Sequence, residues 1–448
     1  MKDLIGSVAV GVGVGVPAAA AAQGPSLVQW PGKVREFFPT VLGSTIGLGL
    51  VVGSQLPNLR GVKAFAAGLG VAGIGAVGFL VAKNKIRELE GQNARIDDCF
   101  AHAPTDPHVS GSDHSAVDYS LLGREGARFI NSVTTSAHAE RLGVKRTHDP
   151  IRVFVSIANS DSISSRVSLA MSELIRNKAF DRAYLLIQSP AGSGYANSTP
   201  VDVVELLSGG NCAAVSVSYG LLPSFLSLTK VRLAGETQLE LLNAIDHELI
   251  GRRNKGKQVP KILLYGESLG ARVQQFAIPL GSSDLDKYCV DRALWVGTPG
   301  GRIADAFHQL CDGESVTVDR PEQIPVDSDY RVWFLEHDGD PVVRFRPDLA
   351  WSRPAWLDPE LPLGRNIPAE MTWHVGVTWA TVLVDTIFAT KVKPGEFHSL
   401  GHDYRADLGA VSTAAFGFTG ILTPEKTESL EIILREIEVA RAKKLGEG

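Results

Sequence analysis

The chain has 448 residues, of which 44% are hydrophobic and 21% charged, and its formal net charge is −5. That length accommodates about two or three structural units, and the mixture argues against intrinsic disorder and for a partly lipid-facing protein. With no basic excess there is nothing to neutralise a phosphate backbone, so nucleic acid is not an expected partner. Cys99, Cys212, Cys289 and Cys311 are widely separated, without CxxC or zinc-type spacing, which argues against a disulfide framework or a metal site.

Three uncharged apolar stretches open the chain, Leu4–Ala22, Phe37–Leu56 and Ala64–Ala82. Each approaches the ~20 residues needed to cross hydrocarbon. Their many glycines (Gly43, Gly47, Gly49, Gly53, Gly70, Gly73, Gly75 and Gly78) would weaken a helix in water but let helix backbones approach closely in a bilayer. Leu4–Ala22 reads as a retained span flanked by Trp30, Lys33 and Arg35, with a signal peptide as the alternative. With three spans, Lys33, Arg35, Lys83, Lys85, Arg87 and Arg95 share one side, and Lys2, Arg60 and Lys63 the other. This bias predicts a multi-pass membrane protein with its large C-terminal domain in the cytoplasm. The expected division is a transmembrane region over residues 1–83, a linker over 84–148 with short helices near Ile86–Arg95 and Tyr119–Ile130, and a soluble domain over 149–448.

From Ile151 onward short β-branched runs alternate with amphipathic segments. Strands are predicted at Ile151–Ala158, Arg182–Gln188, Ala213–Ser218, Lys261–Tyr265, Arg292–Val296 and Tyr330–Glu336. Helices are predicted at Ser165–Ile175, about Glu236–Arg252 and Leu269–Ile278, and a final one begins at Thr423-Pro424-Glu425 and reaches about Lys443. Such alternation implies an α/β fold with a mostly parallel sheet covered on both faces.

Within this domain Lys261-Ile-Leu-Leu-Tyr-Gly266-Glu267-Ser268-Leu269-Gly270-Ala271 is an apolar strand, a G-x-S-x-G turn and the start of a helix. A sharp strand-to-helix turn lifts the Ser268 hydroxyl out of the sheet, and side chains at either glycine would collide with the neighbouring elements. The N–H of Leu269 would then face a developing oxyanion. Chance alone produces such a motif in a glycine-rich chain; its place between strand and helix is what marks Ser268 as a nucleophile. An acid and a histidine should follow in that order. Asp340, in the loop after Tyr330–Glu336 and ahead of Pro341-Val342-Val343, is the chosen acid, with Asp338 as competitor. His402, after Gly401, is the chosen base and His398 the second choice, while His374 reads as a packing residue. In these roles His402 takes the serine proton and Asp340 orients the imidazole. The loop Ser189-Pro-Ala-Gly192-Ser193-Gly194-Tyr195 follows an earlier strand, and the N–H groups of Gly192 and Ser193 are candidates for a second oxyanion donor. Two other patterns are rejected. Gly68-Leu-Gly70-Val-Ala-Gly73 lies inside an apolar stretch without a preceding strand, and Gly251-Arg-Arg-Asn-Lys-Gly256-Lys257 is followed by Gln258 where a P-loop needs Ser or Thr. No cofactor or metal is therefore expected.

The chain resembles the bacterial membrane-anchored α/β-hydrolases that carry a multi-span region ahead of the catalytic domain. The likeness runs from about Phe37 to the end. It rests on Arg166–Leu186, Gly192-Ser193-Gly194-Tyr195, Ser218-Tyr219 with Leu222-Pro223-Ser224, and Gly266–Gly270. Farther on it rests on His337, Asp340–Val343, Arg353-Pro354 with Trp356-Leu357, and Gly401-His402 with Tyr404. The chain departs from the family in having Tyr195 where a tryptophan is usual, Arg344 and Phe345 where aromatics are frequent, and three spans where four are common. The resemblance implies the α/β-hydrolase fold with Ser268, Asp340 and His402 at the triad positions, and names no substrate. Ester or thioester hydrolysis of a lipid-like substrate is the leading expectation. Acyl transfer on the same scaffold and a non-catalytic membrane scaffold are the alternatives.

Overall fold

A computed structural model describes residues 24–28, 88, 90–221, 231–326, 329–389 and 396–446. The three apolar N-terminal stretches lie outside these residues. Among the described residues no helix is long and apolar enough to cross a membrane. The chain divides into two compact units, one drawn from Leu89–His337 and Val392–Gly448, the other from Met1–Glu88 and Asp338–Lys391.

The first unit is built on seven strands, β1 (Ile151–Val155), β2 (Tyr184–Ser189), β3 (Cys212–Val217), β4 (Lys261–Glu267), β5 (Val290–Val296), β6 (Ser315–Val318) and β7 (Val332–Leu335). They lie in the order β1-β3-β2-β4-β5-β7-β6, and each neighbouring pair is parallel. The central strands are buried nearly throughout, as β3 and β7 show, because helices cover both faces and an all-parallel sheet leaves neither face to water. Helices α1 (Ile163–Arg176), α2 (Ser198–Leu207), α3 (Val231–Asn254), α4 (Leu269–Ala277) and α5 (Arg302–Leu310) occupy the crossovers. The predicted strands and helices all appear, most of them shifted at their ends by a few residues. The four-residue edge strand β6 and helices α2 and α5 had no counterpart in the sequence reading. Part of the segment expected to link the regions is folded into the sheet's core: Val109, Leu122, Phe129, Ile130 and Leu142 are buried there, and Val109 forms a parallel bridge to Arg152.

Arg152 is the one charged residue of β1 and is fully buried. Its guanidinium meets two carboxylates of α2, Nη2 lying 2.7 Å from Asp202 Oδ1 and Nε 2.6 Å from Glu205 Oε1. These partners keep the cation charged despite the cost of burial.

The second unit contains the short helix α6 (Pro341–Arg344) and the longer α7 (Val377–Phe388), with 3-10 turns at Pro347–Ala350 and Ala355–Leu357 between them. Leu349, Leu357, Ile367, Met371 and Val382 form its core, and Leu27 is buried among them. The Leu27 N–H donates to the buried carboxylate of Asp385 at 2.8 Å. Residues 24–28, between two of the apolar N-terminal stretches, are thus part of this unit. In the first unit α8 (Leu408–Ala415) and α9 (Pro424–Lys444) complete the chain; the proline-started final helix matches its expected bounds closely.

Candidate active site

Ser268 stands between β4 and α4 with φ 54 and ψ −122. A non-glycine residue in this left-handed region carries about 1–3 kcal/mol of backbone strain and persists only where its surroundings impose it. They do so here. The Ser268 N–H donates to Val296 O at 2.8 Å, fixing the turn to the end of β5. A Cβ on Gly266 would lie 2.7 Å from Ala271 N and Cα, and one on Gly270 would lie 2.3 Å from Ser189 O. Both obstacles are backbone and cannot step aside, so the two glycines are required by close approach.

Helix α4 starts at Leu269, and its first-turn N–H groups have no acceptor within the helix. The Leu269 N–H is the first of these, directly after Ser268 in the chain. Gly270 packs on Ser189 and Pro190, which brings the loop after β2 against the turn. In that loop the Ala191 N–H donates to Tyr195 O (2.8 Å) and the Gly194 N–H to Ala191 O (2.9 Å). Among the described residues nothing accepts from the N–H groups of Gly192 and Ser193. Gly192 is buried and Ser193 half-buried.

His402 lies at the same corner. Gly297, the residue after β5, has φ 55, and a Cβ there would lie 2.8 Å from His402 Cε1 and 3.1 Å from Nδ1. The imidazole thus packs closely on Gly297, next to Val296, the residue that accepts the Ser268 N–H. Only 8% of His402 is exposed. Asp340 belongs to the other unit, where it is fully buried and caps α6, its Oδ1 accepting the Val342 N–H at 2.8 Å.

A family model described as an alpha/beta-hydrolase family matches residues 151–430. The chain belongs to that family. No curated protein and no solved structure matched it. Membership in this family and the all-parallel sheet agree on fold, and the membership points to hydrolase chemistry without naming a substrate.

Within the family fold the other candidate side chains are engaged differently. The Asp338 carboxylate accepts from Arg344 Nη2 at 2.8 Å and from the Arg365 N–H at 3.1 Å. His398 is largely exposed, beside Glu396 at 3.4 Å, and His374 is exposed and meets Thr372 Oγ1 at 2.9 Å.

Two features of the site were not visible in the sequence. Glu267, inside the motif, accepts from Asn197 Nδ2 at 2.7 Å and from Tyr265 Oη at 2.8 Å. Asn197 also caps α2 through Thr199 N at 3.0 Å, so one carboxylate ties the turn at Ser268 to the end of the Gly192–Ser193 loop. Burial and the Glu267 charge push the Tyr265 phenol far up, which keeps it a donor. The second feature is a buried histidine, His337, described below. No sequence spacing relates Glu267 to Asn197, since the sheet order alone makes them neighbours.

Proposed function

We propose that the protein is a serine hydrolase that cleaves ester or thioester bonds through an acyl-enzyme, with Ser268 as nucleophile, His402 as base and Asp340 as the acid orienting it. The strained backbone at Ser268, held between β4 and α4 by two glycines that tolerate no Cβ, is the observation that carries this reading. His402 removes the Ser268 proton as Oγ attacks the carbonyl carbon, and the oxyanion is received by the Leu269 N–H and by Gly192 or Ser193 N–H. Collapse expels the alcohol or thiol, which takes the proton from the imidazolium. Water then attacks the acyl-enzyme with His402 again as base, releasing the acid.

The apolar stretches at Leu4–Ala22, Phe37–Leu56 and Ala64–Ala82 support a membrane-anchored enzyme acting on lipid-like substrates, with the catalytic domain on the cytoplasmic side. In this reading residues 1–83 are the anchor, and catalysis belongs to the region from about 149 onward.

Labelling of membranes carrying the full chain with a fluorophosphonate should give a band that Ser268→Ala removes. Hydrolysis of nitrophenyl esters should fall about a thousandfold or more in the same variant. Equal labelling or hydrolysis in Ser268→Ala would reject the assignment, and recovery of the chain in the alkaline-carbonate supernatant would reject the anchor.

A further inference from the structure

His337 lies two residues beyond the end of β7 and is fully buried. Its backbone N–H and both ring nitrogens are spent on the segment that carries His402. The backbone N–H donates to Tyr404 Oη at 3.1 Å, Nδ1 lies 2.9 Å from Gly401 O, and Nε2 lies 2.8 Å from Asp407 Oδ2. The ring also stacks on Tyr404, with centroids 4.0 Å apart and planes 26° from parallel. Tyr404 and His402 are edge to face at 5.7 Å.

Asp407 confirms where the forces point. It occupies the N-cap position of α8, where a carboxylate ordinarily bonds the first-turn N–H groups. Its side chain makes no cap bond. It turns instead to His337 and also accepts from Ser399 Oγ. Asp407 is 4% exposed, so the charge it carries needs a partner of opposite sign.

The proton count then follows from the acceptors. A carbonyl oxygen has no proton to give, so Nδ1 must carry one and donate it to Gly401 O. A carboxylate oxygen already receiving Ser399 Oγ–H also has none to give, so Nε2 must carry a second. With Asp407 as a carboxylate, both bonds exist together only when the ring is the imidazolium.

We propose that His337, as an imidazolium paired with Asp407, is the positioning residue that locks the His402 segment against the end of the sheet. This rests on the reading of His402 as the base. Loss of one ring proton cancels one of the two bonds that hold Ser399–Asp407, and His402 loses its fixed station over Gly297. In the same unit the groups facing this pair are the Tyr404 phenol and the Ser399 hydroxyl, with Glu431 near enough to Asp407 to feel its charge.

Three measurements on the full chain test it. In His337→Ala, kcat for a nitrophenyl ester should fall ~10- to 100-fold, the size expected for a misplaced base, with KM within about twofold. Asp407→Asn can offer a carboxamide N–H to a neutral Nε2 while Nδ1–H still donates to Gly401 O. It should therefore lower kcat less than His337→Ala and carry the alkaline fall of activity to higher pH. A kcat in His337→Ala equal to wild type, or an alkaline limb that does not move in Asp407→Asn, overturns the proposal. The third measurement needs no turnover. In the Ser268→Ala background, ring-nitrogen NMR should show His337 protonated at both positions at neutral pH, and amide exchange over Ser399–Asp407 should quicken when His337 is replaced. A singly protonated ring or unchanged exchange refutes the lock. If the NMR and exchange results hold while wild type neither labels nor turns over, the hydrolase reading fails and the lock stands.

Discussion

The sheet unit and the unit containing Asp338–Lys391 are stabilised in contrasting ways. In the first, parallel strands repeat one pattern of backbone bonding and bury continuous apolar runs such as Ile262–Tyr265 and Ala293–Val296. In the second, 3-10 turns and one longer helix enclose a small core of Leu27, Leu349, Leu357, Ile367, Met371 and Val382. Individual side-chain bonds set its shape: Trp373 Nε1 to Leu349 O (3.0 Å), Arg344 to Asp338, and Leu27 N–H to Asp385. A repeating scaffold distributes its stability over many equivalent bonds, whereas an irregular one depends on particular residues. The residues proposed as nucleophile and base, Ser268 and His402, belong to the repeating scaffold.

Substitutions can break this comparison. The largest effect should come from Arg152→Met, which leaves Asp202 and Glu205 without the cation that faces them. Breaking a buried pair in this way costs about 3–5 kcal/mol, and the urea midpoint of the sheet unit should fall accordingly. Arg441, at 2.6 Å from Asp202, leaves Glu205 as the more exposed loss. A midpoint unchanged from wild type would mean that the cluster contributes no net stability.

Leu27→Ala should cost about 2–5 kcal/mol, as for other buried leucines, but only in the unit that holds it. Amide exchange should quicken over Val377–Phe388 and stay unchanged in β4. Faster exchange in both would show that the two regions open as one and would erase the distinction drawn here.

The smallest effect concerns Glu431 on α9. Burial raises its carboxyl to about 7 from an ordinary 4.5, with Arg435 opposing the shift. The folded chain therefore holds this proton to higher pH than the unfolded chain does. The stability from it is complete below about pH 4.5 and is lost as pH rises through about 7. Allowing for partial exposure, the change is about 1–2 kcal/mol. Glu431→Gln should flatten the melting temperature between pH 5 and pH 8 (roughly the range over which the carboxyl ionises). An identical slope in wild type and variant would count against it.

How much could be read beforehand followed the same division. Strands β1–β5 and β7 and the long helices α1, α3, α4 and α9 were legible because period and turn chemistry repeat along the chain. Strand β6 escaped because an edge strand of four residues, Ser315–Val318, buries little and has no apolar run. Helix α2 escaped because its inward face carries Asp202 and Glu205, which read as solvated until Arg152 is seen opposite. At the site, the G-x-S-x-G motif named Ser268, Leu269 and both glycines. His337 stood out only through the family likeness and Asp407 not at all, since their pairing joins positions that only the fold brings side by side.

By itself the sequence determined the parallel α/β architecture and the strand-to-helix corner at Ser268, because both arise from neighbours along the chain: apolar runs, turn glycines and helix starts. The tertiary structure alone decided that His402 lies on Gly297, that Glu267 holds Asn197, and that His337 is surrounded by acceptors. Those relations depend on strand order, and a crossover connection places residues from distant parts of the chain at one sheet end with no trace in local pattern.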